Sequence, residues 1–225
     1  MSPELYNHLD PTVVGNDMRI LVTEMAGRAS VELKGRELGV DLAGHADAIG
    51  RVVDQVKVLE ADGWSFEAAD ASFELLLRAA LPDAPAPLFE LESYKTSVEH
   101  WGNGVVVSEA TVKVHLPGEH GQGERIISTA EGNGPVNALD NALRHALVSR
   151  YPQLADVSLA DYKVRILGWK SGTGATTRVL IDTTDGVGEW TTVGVHDNIV
   201  EASWHALVDA LTYAVRHRTP AGAQS

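Results

Sequence analysis

The chain has 225 residues, 44% of them hydrophobic and 22% charged, with no cysteine and a formal charge of −13 from 31 Asp and Glu against 18 Lys and Arg. These values support a packed core and exclude wholesale disorder, and the negative field repels phosphate backbones and anionic membranes, so neither nucleic acid nor a membrane is an expected partner. The missing thiols exclude a disulfide framework and, with no signal-like stretch after Met1 and no apolar run of about 18 residues, point to a reduced cytoplasmic setting.

In chain order, Ile20-Leu21-Val22 leads into Ala26-Gly27-Arg28, and a short helix is predicted from Ser30 to Leu38, stopped by Gly39. From His45, the residues Ile49, Val52, Val53, Val56 and Leu59 recur at steps of three and four until Asp62-Gly63. From Phe66, Ala69, Phe73, Leu76 and Leu77 follow the same period, so two amphipathic helices are expected as a hairpin about Gly63. The stretch Leu81-Pro82-Asp83-Ala84-Pro85-Ala86-Pro87 denies both helix and central strand and reads as a linker.

Beyond the linker the period changes to two. Leu91, Ser93, Lys95, Ser97 and Glu99 alternate with Glu92, Tyr94, Thr96 and Val98 up to the turn Gly102-Asn103-Gly104. Val105 to Leu116 and Glu124 to Ala130 are predicted as the second and third strands, and Val136 to Arg150 as a helix. The same order then begins again. Tyr94-Lys95 and Tyr162-Lys163 stand 68 residues apart, as do Trp101 and Trp169, Gly104 and Gly172, and Gly118 and Gly186. In the helices the offset is 64, which aligns Ala138, Ala142, Leu143, Ala146 and Leu147 with Ala202, Ala206, Leu207, Ala210 and Leu211; the longer turn from Pro117 to Glu124 absorbs the difference. Two units of three strands and a helix, 89–150 and 157–218, therefore form one pseudo-twofold α+β domain, because each unit alone leaves a sheet face and a helix stripe bare.

The segment Glu131-Gly132-Asn133-Gly134-Pro135-Val136-Asn137-Ala138 joins the third strand to the first helix. Pro135 suits the first helical position and Gly134 offers no capping side chain, so backbone donors are expected to stay free and, with the helix dipole, to attract a carboxylate. At the second helix Asn198, followed three residues later by Glu201, resembles a capping box that occupies its own donors. A tight strand-to-helix turn without a ligand accounts for the same residues. The alanine stripes of both helices fit close packing against helix or sheet. The nine histidines show no metal-ligand spacing, Gly172-Thr173-Gly174 reads as a hairpin turn rather than a phosphate loop, and no nucleophile stands with a base.

Thr129 to Asp140, Leu159 to Arg165 and Val195 to Trp204 resemble the C-terminal allosteric domain of (R)-citramalate synthases, within the 2-isopropylmalate and homocitrate synthase family. Tyr6-Asn7-His8-Leu9-Asp10-Pro11, Val14-Gly15-Asn16, Ala26-Gly27-Arg28 and Phe66 to Glu74 resemble the linker subdomains of that family. On this resemblance residues 1–40 are linker subdomain I, 41–81 helical linker subdomain II, 82–88 the Pro-rich linker, 89–218 a regulatory and dimerisation domain, and 219–225 a disordered tail. It implies a condensing barrel with a divalent metal lying before Met1, hence a chain inactive alone, with no cofactor or catalytic residue of its own. It also implies a homodimer that binds isoleucine or leucine as effector, and a Tyr6 near the neighbouring subunit's active site, a position that a surface-turn aromatic explains equally. The open helix start gives the effector a carboxylate partner at Gly132, Asn133, Gly134 and Pro135. Val136, Ala138, Leu139, Asn198, Ile199 and Val200 are the expected remaining contacts. A scaffolding module that binds no effector, or the equivalent region of a 2-isopropylmalate synthase, stays open beside this reading.

Overall fold

The computed structural model describes residues 27–118, 123–168 and 175–217. Tyr6, the motifs before Gly27, Trp169, Gly172, Gly174 and the tail 219–225 lie outside the described residues.

Three helices come first: α1 (Arg28–Glu37), α2 (Ala46–Ala61) and α3 (Asp70–Ala79). Their apolar periods converge on Val31, Val52, Val56, Phe73 and Leu77, each at most 1% exposed. The hairpin turn between α2 and α3 passes through Gly63 at a φ of 101°, a conformation that disfavours any side chain. Residues 82–88 form neither helix nor strand.

Two antiparallel sheets follow, β1 (Glu90–His100), β2 (Val106–Leu116) and β3 (Glu124–Gly132) in one, and β4 (Ser158–Ile166), β5 (Thr177–Thr184) and β6 (Glu189–His196) in the other, each in sequential order. Each sheet is followed by its helix, α4 (Pro135–Leu147) or α5 (Ile199–His217), and a short 3-10 turn at Pro152–Asp156 separates the units. The fold is thus α+β with two βββα units. The repeat extends to an irregularity: β1 is bulged at Glu92 and β4 at Ala160, positions 68 apart.

Alternate residues of β2 (Ala110, Val112, Val114, Leu116) and of β5 (Thr177, Val179, Ile181, Thr183) face the helices and are buried. Helix α4 lies on β2 and β3, and α5 lies on β5 and β6. Residues of both helices, including Leu139, Leu143, Leu207 and Leu211, share one core. The alanine stripe of α5 has a specific use. A Cβ on Gly194 would stand 1.9 Å from the Ala202 carbonyl oxygen. Beside it, Thr192 Oγ1 donates to the Ala206 carbonyl at 2.8 Å and Trp190 Nε1 to that of Ala210 at 3.2 Å. Only small residues on both elements allow this approach. At the other helix, Arg144 donates to both the buried Asp140 carboxylate and the Val157 carbonyl, which fixes the start of β4 against α4.

The two units are not equally covered. The helical hairpin lies on the outer face of the second sheet, where Val193 and Val195 join the core of α1 to α3. Arg178 Nε donates to the Gly63 carbonyl at 2.6 Å. Ser72 Oγ accepts the Val193 N–H at 3.0 Å, which covers the free edge of β6, and donates to Asp209 Oδ2 at 2.6 Å. His217 Nε2 lies 2.9 Å from the Glu74 carboxylate. On the first sheet the outward residues Lys95, Glu109 and Thr129 stay exposed.

Two outcomes follow from this packing. Gly194→Ala forces β6 away from α5 and is expected to destabilise by about 1–3 kcal/mol or more, seen as a lower urea midpoint, whereas Gly188→Ala, whose new Cβ meets nothing within 4 Å, leaves the midpoint unchanged. Burial pushes the Asp209 carboxyl up to about 6 from its ordinary 3.8, against the opposing pull of the Ser72 hydroxyl and Arg216. Ionising it costs more in the folded than in the unfolded chain, so its contribution is full below about pH 4 and is lost as pH rises through about 6. Stability measured by denaturant titration at several pH values is expected to lose that component of its decline in Asp209→Asn.

Candidate functional site

The start of α4 carries no side-chain cap. Gly134 occupies the cap in fully extended backbone (φ −169°, ψ 170°), and Pro135 holds the first turn without an N–H of its own. The Asn137 side chain turns away from the helix to accept the Asn133 N–H at 3.1 Å, and Asn141 Nδ2 donates to the Glu131 carbonyl at 3.0 Å. These two bonds fix the loop and leave the first helical amides, Val136 and Asn137, without a side-chain acceptor.

The loop's two glycines differ in kind. At Gly132 a Cβ would lie 2.4 Å from the Ala138 nitrogen and 2.7 Å from Asn137 Oδ1, so the strand can meet its helix only through glycine. At Gly134 a Cβ would meet nothing within 4 Å, so the space before the helix end is open to a ligand. Val136 packs on the common core from its edge, while Ala138 and Leu139 are fully enclosed in it. They form the floor beneath the helix start.

The start of α5 is arranged differently. Asn198 Oδ1 accepts the Val200 N–H at 2.8 Å and the Glu201 N–H at 3.4 Å, so this end is self-capped. The reciprocal arm of the box is absent. The Asn198 N–H donates to His196 Nδ1 at 2.9 Å, and the Glu201 carboxylate instead accepts a short hydrogen bond from the Tyr94 hydroxyl. Ile199 is 44% exposed, and Val200 packs on the same core as Val136.

Several neighbours of this region carry no signal in the sequence beyond spacing. Tyr94 of β1 and Tyr162 of β4, the landmarks of the repeat, both reach α5. Tyr162 donates to Ser203 Oγ at 2.8 Å while Ser203 donates to the Ile199 carbonyl at 2.7 Å. Tyr94 also stacks on Trp204, whose ring meets Phe89 edge-on. Burial raises the pKa of both tyrosines, and the Glu201 carboxylate raises that of Tyr94 further, so both stay neutral donors.

Clefts occur elsewhere. One of about 560 Å³ is lined by α1, α2 and the loop between them, including Arg36, Asp41 and Leu42. Another of about 430 Å³ runs between the helical hairpin and α5 past Trp64, Leu76, Asp209 and Arg216. Neither touches residues 132–139 or 198–200. Among the described residues no group of three or more His, Asp or Glu could hold a metal ion, and no helix is long and apolar enough to cross a membrane.

A family model described as the LeuA allosteric (dimerisation) domain matches residues 67–215, the span from α3 to α5. The chain belongs to this family. Relatives include the (R)-citramalate synthases of Streptomyces coelicolor, 57% identical over 215 residues, of Synechocystis, 44% over 223, and of Aquifex aeolicus, 40% over 211. The matches cover 96%, 96% and 92% of this chain but only 39%, 39% and 38% of those proteins. The chain thus spans about two fifths of the length of the relatives it matches, and the LeuA-type domain makes it a regulatory and dimerisation region.

The contrast between the glycines of this domain is testable. Gly132→Ala is expected to destabilise by about 1–3 kcal/mol because the new Cβ strikes helix backbone, whereas Gly134→Ala changes the thermal midpoint little.

Proposed function

We propose that the chain is the linker and feedback-regulatory portion of an (R)-citramalate synthase, assembling as a homodimer and binding a branched-chain amino acid, isoleucine or leucine. In the parent enzyme the condensation of acetyl-CoA with pyruvate, and the divalent metal it requires, belong to residues outside this chain, which is inactive alone. The observation that carries the effector reading is the difference between two related helix starts, one capped by Asn198 and one left open at Gly134. A free amino acid supplies what the open end lacks: its carboxylate takes the Val136 and Asn137 amides, favoured by the helix dipole. Its aliphatic chain lies on Val136, above Ala138 and Leu139, and towards the exposed Ile199 and the half-buried Val200, and Gly132, Asn133 and Pro135 hold the backbone in place.

Calorimetry of the chain against isoleucine, leucine and valine tests this. Heat of binding with isoleucine or leucine is the expected result, and silence with all three sinks the reading. Gly134→Asp sharpens it. The open space there admits the carboxylate, a cap better than glycine by roughly a few tenths of a kcal/mol. This variant is expected to melt at or above the parent temperature yet bind the effector at least about tenfold more weakly, a loss of roughly 1.4 kcal/mol.

A second reading, a scaffold that dimerises without an effector, is favoured by the complete enclosure of Ala138 and Leu139. A dimer by light scattering together with calorimetric silence would support it.

A further inference from the structure

The two helices leave part of each sheet's inner face uncovered. Cross-strand pairing puts Thr96, Val98 and Val106 of the first sheet on the same side as the buried Ser108 and Ala110. It likewise puts Val164 and Ile166 of the second sheet on the side of the buried Val179 and Thr177. All five therefore face the helix layer. Yet Val98 is 56% exposed, Val106 57%, Val164 42% and Ile166 65%, while Ser108, Ala110, Thr177 and Val179 are at most 7%. The cause is geometric. A helix is about 10 Å wide and strands lie about 4.8 Å apart. One helix therefore covers two strands of three, and α4 and α5 both lie over the second and third strands. The contacts of Tyr94 and Tyr162 with α5 mark the limit of the cover, and the strands run on bare beyond them.

We propose that this uncovered helix-facing strip, on β1 with the first residue of β2 and on β4, is the surface on which a second copy of the chain seats. The proposal rests on the homodimer of the preceding section and assigns its interface. A second copy, rather than another partner, is indicated in three ways. The strip occurs once in each repeat, Val98 and Ile166 being 68 positions apart, so the internal twofold repeat presents a matched pair of patches suited to an isologous contact. It is uncharged. A chain of net charge −13 repels its copy wherever acidic surfaces meet, and the outward faces carry Glu99, Glu109 and Glu131, whereas Thr96, Val98, Val106, Val164 and Ile166 let two copies approach without opposing carboxylates. Finally, the match to a dimerisation domain runs over residues 67–215 and spans both strips. Strands β1 and β4 are also the outer strands of their sheets on this side, so each offers an unpaired edge beside the strip.

The chain has no cysteine of its own, which allows a direct test. Val98→Cys, Ile166→Cys and, on the outward face, Ile127→Cys, 53% exposed and paired with Lys113, are titrated with an aromatic disulfide reagent at high and low protein concentration. The expected result is at least about tenfold slower reaction of the Val98→Cys and Ile166→Cys variants at high concentration, relieved on dilution, with the Ile127→Cys variant fast throughout. In parallel, sedimentation of a Val98→Asp, Ile166→Asp double variant is expected to show monomer where the parent is dimer, with far-UV circular dichroism confirming the fold. A dimeric parent whose three single-thiol variants react alike overturns the interface and leaves the homodimer standing. A monomeric parent overturns both, and neither result touches the calorimetric test of effector binding.

Discussion

How closely β6 can lie against α5 depends on removing side chains from both. Gly194 sits where a single methyl group would enter the Ala202 carbonyl, and the alanine stripe of α5 faces it over successive turns. Because the helix is held this near, the Thr192 hydroxyl and Trp190 indole reach helix carbonyls directly. One flank of α5 then presents Glu201 and Trp204 to Tyr94, and another presents Asp209 to Ser72. One helix thus connects the first unit, the second unit and the helical hairpin. A shift of α5 would be felt in all three.

That arrangement gives the two copies of the repeat different work. The second is tied down on its outer sheet face by the helical hairpin, at its strand edge by Ser72 and at its helix start by Asn198. The first has an exposed outer face and an uncapped helix start. Anion attraction at a helix end requires free donors, so a duplicated unit offers the simplest origin for the contrast: one copy serves as structure, and the other retains the open end on which the proposed effector reading rests.

Much of the architecture was legible from periodicity. The change of period after residue 88, the turns and the offset of the repeat all come from patterns within a few residues of each other, and the α+β fold of two βββα units follows from them. The links between elements were not legible. Ser72 and Asp209 are 137 residues apart, and nothing in either local pattern marks them as partners. Glu201 reads as the second arm of a capping box by its spacing from Asn198, but its carboxylate goes to Tyr94, 107 residues away, because the shared core brings β1 beside α5. Glu92 and Ala160 show the same limit, since alternation reveals a strand but not which residue is bulged out of its ladder. At the helix starts the local chemistry was readable, and the enclosure of Ala138 and Leu139 was not, because it depends on the opposite unit.

The central claim is that the open start of α4, rather than the capped start of α5, receives the effector carboxylate. Backbone amide NMR of the chain titrated with isoleucine and leucine tests it most directly. The account predicts that the Val136 and Asn137 amide resonances show the largest downfield movement, while those of Val200 and Glu201, already bonded to Asn198, change little. The reverse order, with Val200 and Glu201 moving and Val136 and Asn137 still, would contradict it.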